Sequence, residues 1–157
     1  MNLDNVSVSV QLQDFDVSAE IQRLRNQSAQ VGAVASFVGV VRDINDDQTI
    51  SILELEHYPG MTEKSIAEII VMAADRWQLI GVRVIHRVGK LLPTDQIVLV
   101  AVTSMHRGEA FAACEFIMDY LKTRAPFWKK EQTATGARWV DARSTDQTAA
   151  DRWKQSD

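Results

Sequence analysis

An α+β fold with a largely antiparallel sheet follows from the spacing of apolar residues. Stretches with two-residue alternation come in adjacent pairs, and stretches with helical spacing stand between the pairs. A doubly wound parallel sheet would alternate strand and helix one by one. The chain has 157 residues, 46% hydrophobic and 24% charged, which suits one domain with a real core, so residues 1–157 are expected to form a single unit.

Val6, Val8, Val10 and Leu12 alternate with polar residues, the period of a half-buried strand. Ser18 is the expected cap of a short helix whose apolar side is Val17, Ile21 and Leu24. Gly32 to Arg42 is small, apolar and rich in valine, and reads as a buried strand. A polar turn over residues 43–48 leads into a returning strand from Ile50 to His57, and Pro59-Gly60 breaks the chain. Ile66, Ile69, Ile70, Ala73 and Trp77 lie on one face of a helix. Val82, Val84, His86 and Val88 alternate with Arg83, Ile85 and Arg87 as a further strand. Gly89 and Pro93 bracket a turn before the apolar strand Ile97 to Thr103. A second helix puts Ala110, Phe111, Cys114, Ile117, Met118 and Leu121 on its buried stripe. Phe127 to Gln132 and Ala137 to Asp141 suit a hairpin, and Asp146 to Trp153 a last short helix.

Composition removes several function classes. A formal net charge of −4 argues against general nucleic-acid binding, which needs a broad basic face. Cys114 is the only cysteine, so neither an intrachain disulfide nor a cysteine-rich metal site is expected. His57, His86 and His106 lack ligand spacing, and no phosphate-cradling glycine loop is present. The N-terminus lacks the basic and apolar regions of a secretory signal, and no apolar run would span a bilayer, so a cytoplasmic protein without membrane contact is expected.

Against that acidic background, Lys122-Thr-Arg-Ala-Pro-Phe-Trp-Lys-Lys130 carries four cations and no anion. Pro126 disfavours helix at Ala125, so Lys122 and Lys129 are expected on different walls of a bend, as around a compact anion. On charge alone, a solvated basic loop with Phe127 and Trp128 tucked inward fits somewhat better. Ser104-Met-His-Arg-Gly108 lies where a strand meets a helix N-terminus, suited to phosphate through His106 and Arg107 or to simple capping. Arg42 either guards a cleft or marks where a strand meets water. These residues alone leave open an enzyme, a noncatalytic anion-binding adaptor, or an RNA-binding module stacking bases on Phe127 and Trp128.

Longer segments narrow the choice. Leu55-Glu-His-Tyr-Pro-Gly-Met-Thr-Glu-Lys64, Val84-Ile-His-Arg-Val-Gly89, Thr103-Ser-Met-His-Arg107 and Met118-Asp-Tyr-Leu-Lys-Thr-Arg-Ala-Pro-Phe-Trp-Lys-Lys-Glu131 closely resemble the MoaE family, the large, catalytic subunit of molybdopterin synthase. Gly136-Ala-Arg-Trp-Val140 and the tail to Trp153 add to the resemblance, which runs from about Gly32 to Trp153.

The resemblance implies an α/β hammerhead-type fold with an additional antiparallel β subdomain. It implies a sulfurtransferase that converts cyclic pyranopterin monophosphate into molybdopterin, for molybdenum cofactor biosynthesis. The sulfur comes from the C-terminal glycine thiocarboxylate of a small ubiquitin-like subunit, and two large subunits form a homodimer within a heterotetramer. No cofactor and no metal are implied for the chain itself. By matching positions, Lys122 and Lys129 are the implied catalytic lysines. Substrate contacts fall to Arg42, His106, Arg107, Lys130, Glu131 and the preceding Val40 and Val41, and pocket walls to Phe37 and Met118. Arg143 matches an arginine given to the neighbouring subunit's site. Family members often carry lysine where this chain has Val40, so a backbone contact survives there and a side-chain cation does not.

Overall fold

The computed structural model describes residues 1–140 and 144–156. Arg143 therefore lies outside the described residues.

Four strands make the first sheet: β1 (Val6–Gln11), β5 (Gly81–Arg87), β7 (Gln96–Ser104) and β2 (Ala33–Val40), in that spatial order. β1 runs parallel to β5, and the other two pairings are antiparallel. β7 is buried from Val98 to Ser104 because both its faces are covered, which is why it reads as a continuous apolar run. One face packs on α2 (Met61–Arg76) and α3 (Arg107–Arg124), through Val82, Val84, Val98, Val100 and Val102 against Ile66, Ile70, Phe116 and Ile117. The other packs on α1 (Val17–Arg25), where Leu24 meets Ile85, Leu99 and Ala101.

The second sheet is antiparallel throughout. β4 (Gln48–His57) is its backbone, with β8 (Phe127–Thr133) and then β9 (Gly136–Val140) on one side. On the other side lie the two-residue β3 (Ile44–Asn45) and the short β6 (Gly89–Leu91). Val41, Leu53, Leu55, Val88 and Leu91 form its own apolar cluster, where the two sheets meet. β5 passes through Val88 directly into β6, so one continuous stretch links the sheets.

Several local expectations need correcting. Asp16, not Ser18, caps α1: its backbone is extended and its carboxylate accepts the Ala19 N–H at 3.1 Å. β2 is an edge strand rather than a buried one, with Phe37 and Val40 exposed. The polar turn holds β3, closed by Asp46 and Asp47 at φ 51° and 61°, the left-handed pair of a tight hairpin turn. On α3 the buried arc runs through Ala113, Phe116 and Tyr120 as well as the expected residues, and Phe111 falls outside it, 67% exposed.

The ends of the helices are set by neighbouring residues. Gly60 starts α2 at φ 84°, and the Glu63 carboxylate accepts its N–H. Thr62 Oγ1 accepts the Tyr58 N–H and donates to the Pro126 carbonyl, tying the start of α2 to the end of α3. Pro126 stops α3, and Ala125 is extended as a residue before proline must be. After β9 the chain returns as α4 (Ser144–Asp151) and a closing 3-10 turn. There Trp153 packs edge-on to Trp77 and Phe116, and the Arg76 guanidinium lies over all three rings.

Candidate active site

A cleft opens where the two sheets meet the C-terminal end of α3, with two adjoining lobes of about 280 and 340 Å³. Arg42, Lys122 and Lys129 line both lobes. Each arrives on a different element: Lys122 in the last turn of α3, Lys129 on β8, and Arg42 just past β2. The proline-induced bend lets a helical lysine and a strand lysine converge, as the sequence led one to expect. Phe37, Val40, Val41 and Met118 contribute to the wall of the inner lobe. Val41 is buried and its backbone is used within the fold, its N–H donating to Asp95 and its carbonyl accepting from Thr94, so it offers a wall only.

Strand alternation divides the rest of the basic segment. Lys129 and Glu131 face the cleft side of β8, and Lys130 faces away, its ammonium 5.6 Å from the Trp139 ring. Glu131 is 1% exposed and both its oxygens are engaged. Oε1 accepts from Asn45 Nδ2 at 2.6 Å, and Oε2 accepts from the Arg138 guanidinium at 3.1 and 3.3 Å. This carboxylate thereby braces β3 and β9 on either side of Lys129's strand.

His106 and Arg107 stand elsewhere. They are exposed at the N-terminal end of α3, and 15 residues of helix, about 22 Å, separate Arg107 from Lys122. Within one chain they do not line the cleft. His106 makes no side-chain cap, and Glu109 of the first turn accepts the Gln78 N–H. Cys114 sits in the core as read, its thiol pushed up to about 12 by burial.

One cleft residue escaped the sequence reading. His86 lines both lobes. It ends the inward-facing series Val82, Val84, His86 on β5, and a polar residue in that series was the available signal. Its ring stacks on Phe127, centroids 3.8 Å apart and planes 20° from parallel. Nδ1 lies 2.8 Å from the Arg87 carbonyl oxygen. Burial, with further contributions from the charges of Lys122 and His57, lowers its pKa to about 4 even against that hydrogen bond.

Gly39 completes the inner wall beside a bulge in β2. A Cβ there would stand 2.7 Å from Val98 Cγ1 and 3.4 Å from the Phe37 ring, so the close strand contact admits only glycine without a shift.

Among the described residues no helix is long and apolar enough to cross a membrane, and no three His, Cys, Asp or Glu side chains gather as a metal would require. The arrangement is a cationic, partly apolar cleft able to hold an anion and stabilise developing negative charge.

Known proteins share this chain's sequence and fold. The family model for the MoaE protein matches residues 10–124. A molybdopterin synthase catalytic subunit of Ralstonia nicotianae is 69% identical over 147 residues, covering 94% of this chain and 84% of the relative. The molybdopterin biosynthesis MoaE protein of Burkholderia ambifaria has the same fold at a TM-score of 0.83 and 56% identity, over 95% of this chain and 98% of that one. Molybdopterin synthase from Staphylococcus aureus matches at a TM-score of 0.76 and 30% identity, over 84% and 95% of the two chains. The chain belongs to the MoaE family of molybdopterin synthase catalytic subunits, enzymes of molybdenum cofactor biosynthesis.

Proposed function

We propose that this chain transfers sulfur from the C-terminal thiocarboxylate of a small ubiquitin-like subunit to cyclic pyranopterin monophosphate, forming the dithiolene of molybdopterin. The observation that carries the reading is the convergence of Arg42, Lys122 and Lys129 on one cleft. A phosphate ester and a thiocarboxylate are both anions. Their approach requires cations that offset the repulsion and are aimed at the charge that builds as sulfur attacks carbon.

In this reading Lys122, beside the thiocarboxylate, is the principal catalytic group, and Lys129 assists it. As sulfur attacks, the cyclic phosphate opens and an oxygen substituent leaves with a proton from an ammonium. Water then cleaves the acyl–sulfur bond and releases the small subunit as its carboxylate, and a second thiocarboxylated subunit delivers the second sulfur. Arg42 grips phosphate through its planar fork. Phe37 and Met118 provide apolar walls that exclude water beside the reacting carbons. Val40 has only its backbone to offer the substrate, and Glu131 supports the site by holding its strands together. Lys130, on the far side of β8, is left without a part in the cleft.

The working unit in this proposal is a homodimer with a small subunit bound to each copy. The length of α3 supports it: His106 and Arg107, too far from their own cleft, become phosphate ligands if they serve the cleft of a second copy, together with that copy's claim on Arg143. The test incubates the purified chain with thiocarboxylated small subunit and the cyclic pterin phosphate, and assays the dithiolene product. Formation of product with loss of the thiocarboxylate supports the proposal. A folded chain that binds the small subunit and makes no product overturns it.

A further inference from the structure

His86 has geometry that none of the roles above uses. Its Nδ1 faces a carbonyl oxygen, which can only accept, so Nδ1 carries the ring proton and Nε2 carries the lone pair. Nε2 has no protein partner, yet every buried side-chain nitrogen and oxygen among the described residues has one. Nε2 therefore opens to the cleft. Four polar side chains are common to both lobes: Arg42, Lys122, Lys129 and His86. The first three, as cations, only donate hydrogen bonds, and His86 alone of the four can accept. Glu131 has both oxygens engaged, and the Asp146 carboxylate lines the outer lobe only.

We propose that His86 Nε2 is a hydrogen-bond acceptor for an N–H or O–H group on the ring system bound in the cleft, and so a specificity-determining contact. The inference rests on the sulfur-transfer reading and deepens it. The cations select the phosphate end, and His86 selects a donor edge on the heterocycle at the meeting of the two lobes. Stacking on Phe127 fixes the ring plane, and the Arg87 carbonyl fixes its rotation, so the acceptor is aimed before any ligand arrives. The ring stays neutral because burial and the neighbouring Lys122 and His57 charges hold its pKa low, which keeps it an acceptor through the neutral range. A site built to pair a ligand donor discriminates strongly against analogues that lack it.

Two variants separate recognition from packing. His86→Phe keeps a stacked ring and removes both nitrogens, whereas His86→Gln retains an acceptor oxygen near the Nε2 position. In the complex with thiocarboxylated small subunit, His86→Phe should raise the KM for the pterin phosphate about tenfold or more. The KM for the small subunit should be unchanged, and His86→Gln should recover most of the loss. An unchanged pterin KM in His86→Phe overturns the proposal, as do equal losses in both variants, which would make His86 a packing residue. Nitrogen NMR of the wild-type chain gives an answer independent of variant folding. Saturation with the cyclic pterin phosphate should move the His86 Nε2 resonance from its free lone-pair position, and an unmoved resonance overturns the contact. Wild-type protein that makes no dithiolene overturns the functional reading and this contact together. Wild-type activity with an unaffected His86→Phe variant overturns the contact alone.

Discussion

The two sheets use similar strands to opposite ends. The first, between α1 and the α2–α3 pair, buries an almost wholly apolar interior, with Phe116, Ile66 and Val100 fully enclosed. The second has a smaller apolar cluster and seals polar side chains instead, Glu131 and Asn45 hydrogen-bonded to each other among them. Stability is concentrated where no chemistry is proposed, and chemistry where stability depends on paired polar groups. Substitutions in the first region should therefore lower melting temperature and leave the rate of folded protein intact, and those at the cleft should do the reverse.

The largest expected effect tests the first half of that contrast. Phe116→Ala removes a fully buried ring that packs on Trp77, Tyr120 and Trp153, and should cost about 4 kcal/mol in denaturant unfolding. Folded Phe116→Ala protein assayed in the cold should keep near-normal turnover. A lost rate there would show that the helix-covered sheet shapes the site directly.

The boundary between the regions has a pH signature. His86 titrates at about 4 in the folded chain, against an ordinary 6.5 when unfolded. Between those values the unfolded chain binds a proton that the folded chain refuses, so this stability is intact above pH 6.5 and falls as pH drops toward 4. The full loss is roughly 3 kcal/mol at most, and His86→Phe should flatten that part of the curve. An unchanged slope in chemical denaturation would mean that His86 does not supply it.

Lys122→Ala tests the second half. Lys122 is exposed in the last turn of α3, so its removal should leave melting unchanged and lower the dithiolene-forming rate by about 100-fold or more. Near-normal product formation by the folded variant would remove Lys122 from the chemistry. Glu131→Ala should do something intermediate. It removes one acceptor from each of Asn45 and Arg138 and should cost about 2 kcal/mol, with a fall in rate as β8 loosens around Lys129. The smallest effect is a gain. Asp47→Gly relieves a non-glycine residue at φ 61° and should add about 0.5 kcal/mol with no change in rate.

Sequence patterns predicted the regular elements closely because side-chain periodicity is a local property. The alternation from Val82 to Val88, the apolar run of β7 and the hairpin of β8 and β9 all appear within about two residues of expectation. Faces were harder than elements. β2 is apolar enough for a central strand, and only the pairing order shows that it lies at an edge with Phe37 outward. Lys122 and Lys129 could be brought together because Pro126 lies between them and forces the bend. Their separation from Arg107 was hidden, since it depends on α3 running unbroken for 18 residues between two cationic ends. His86 was missed because alternation alone marks it as a core position, and its lone pair acquires meaning only once Phe127 and the Arg87 carbonyl have fixed the ring.

Gly39 limits how this cleft can diversify. One wall is defined by a missing side chain, pressed against Val98 across the strand pair. A methyl group at that position would have to displace a branched, enclosed neighbour before it could touch any ligand. In a randomised library selected for a changed ligand, glycine should persist at 39 unless Val98 shrinks in the same clone. Innovation should enter from the wall that α3 supplies, through Met118. The cleft is thus free to drift on one side and held on the other, an asymmetry of adaptation written into a single strand contact.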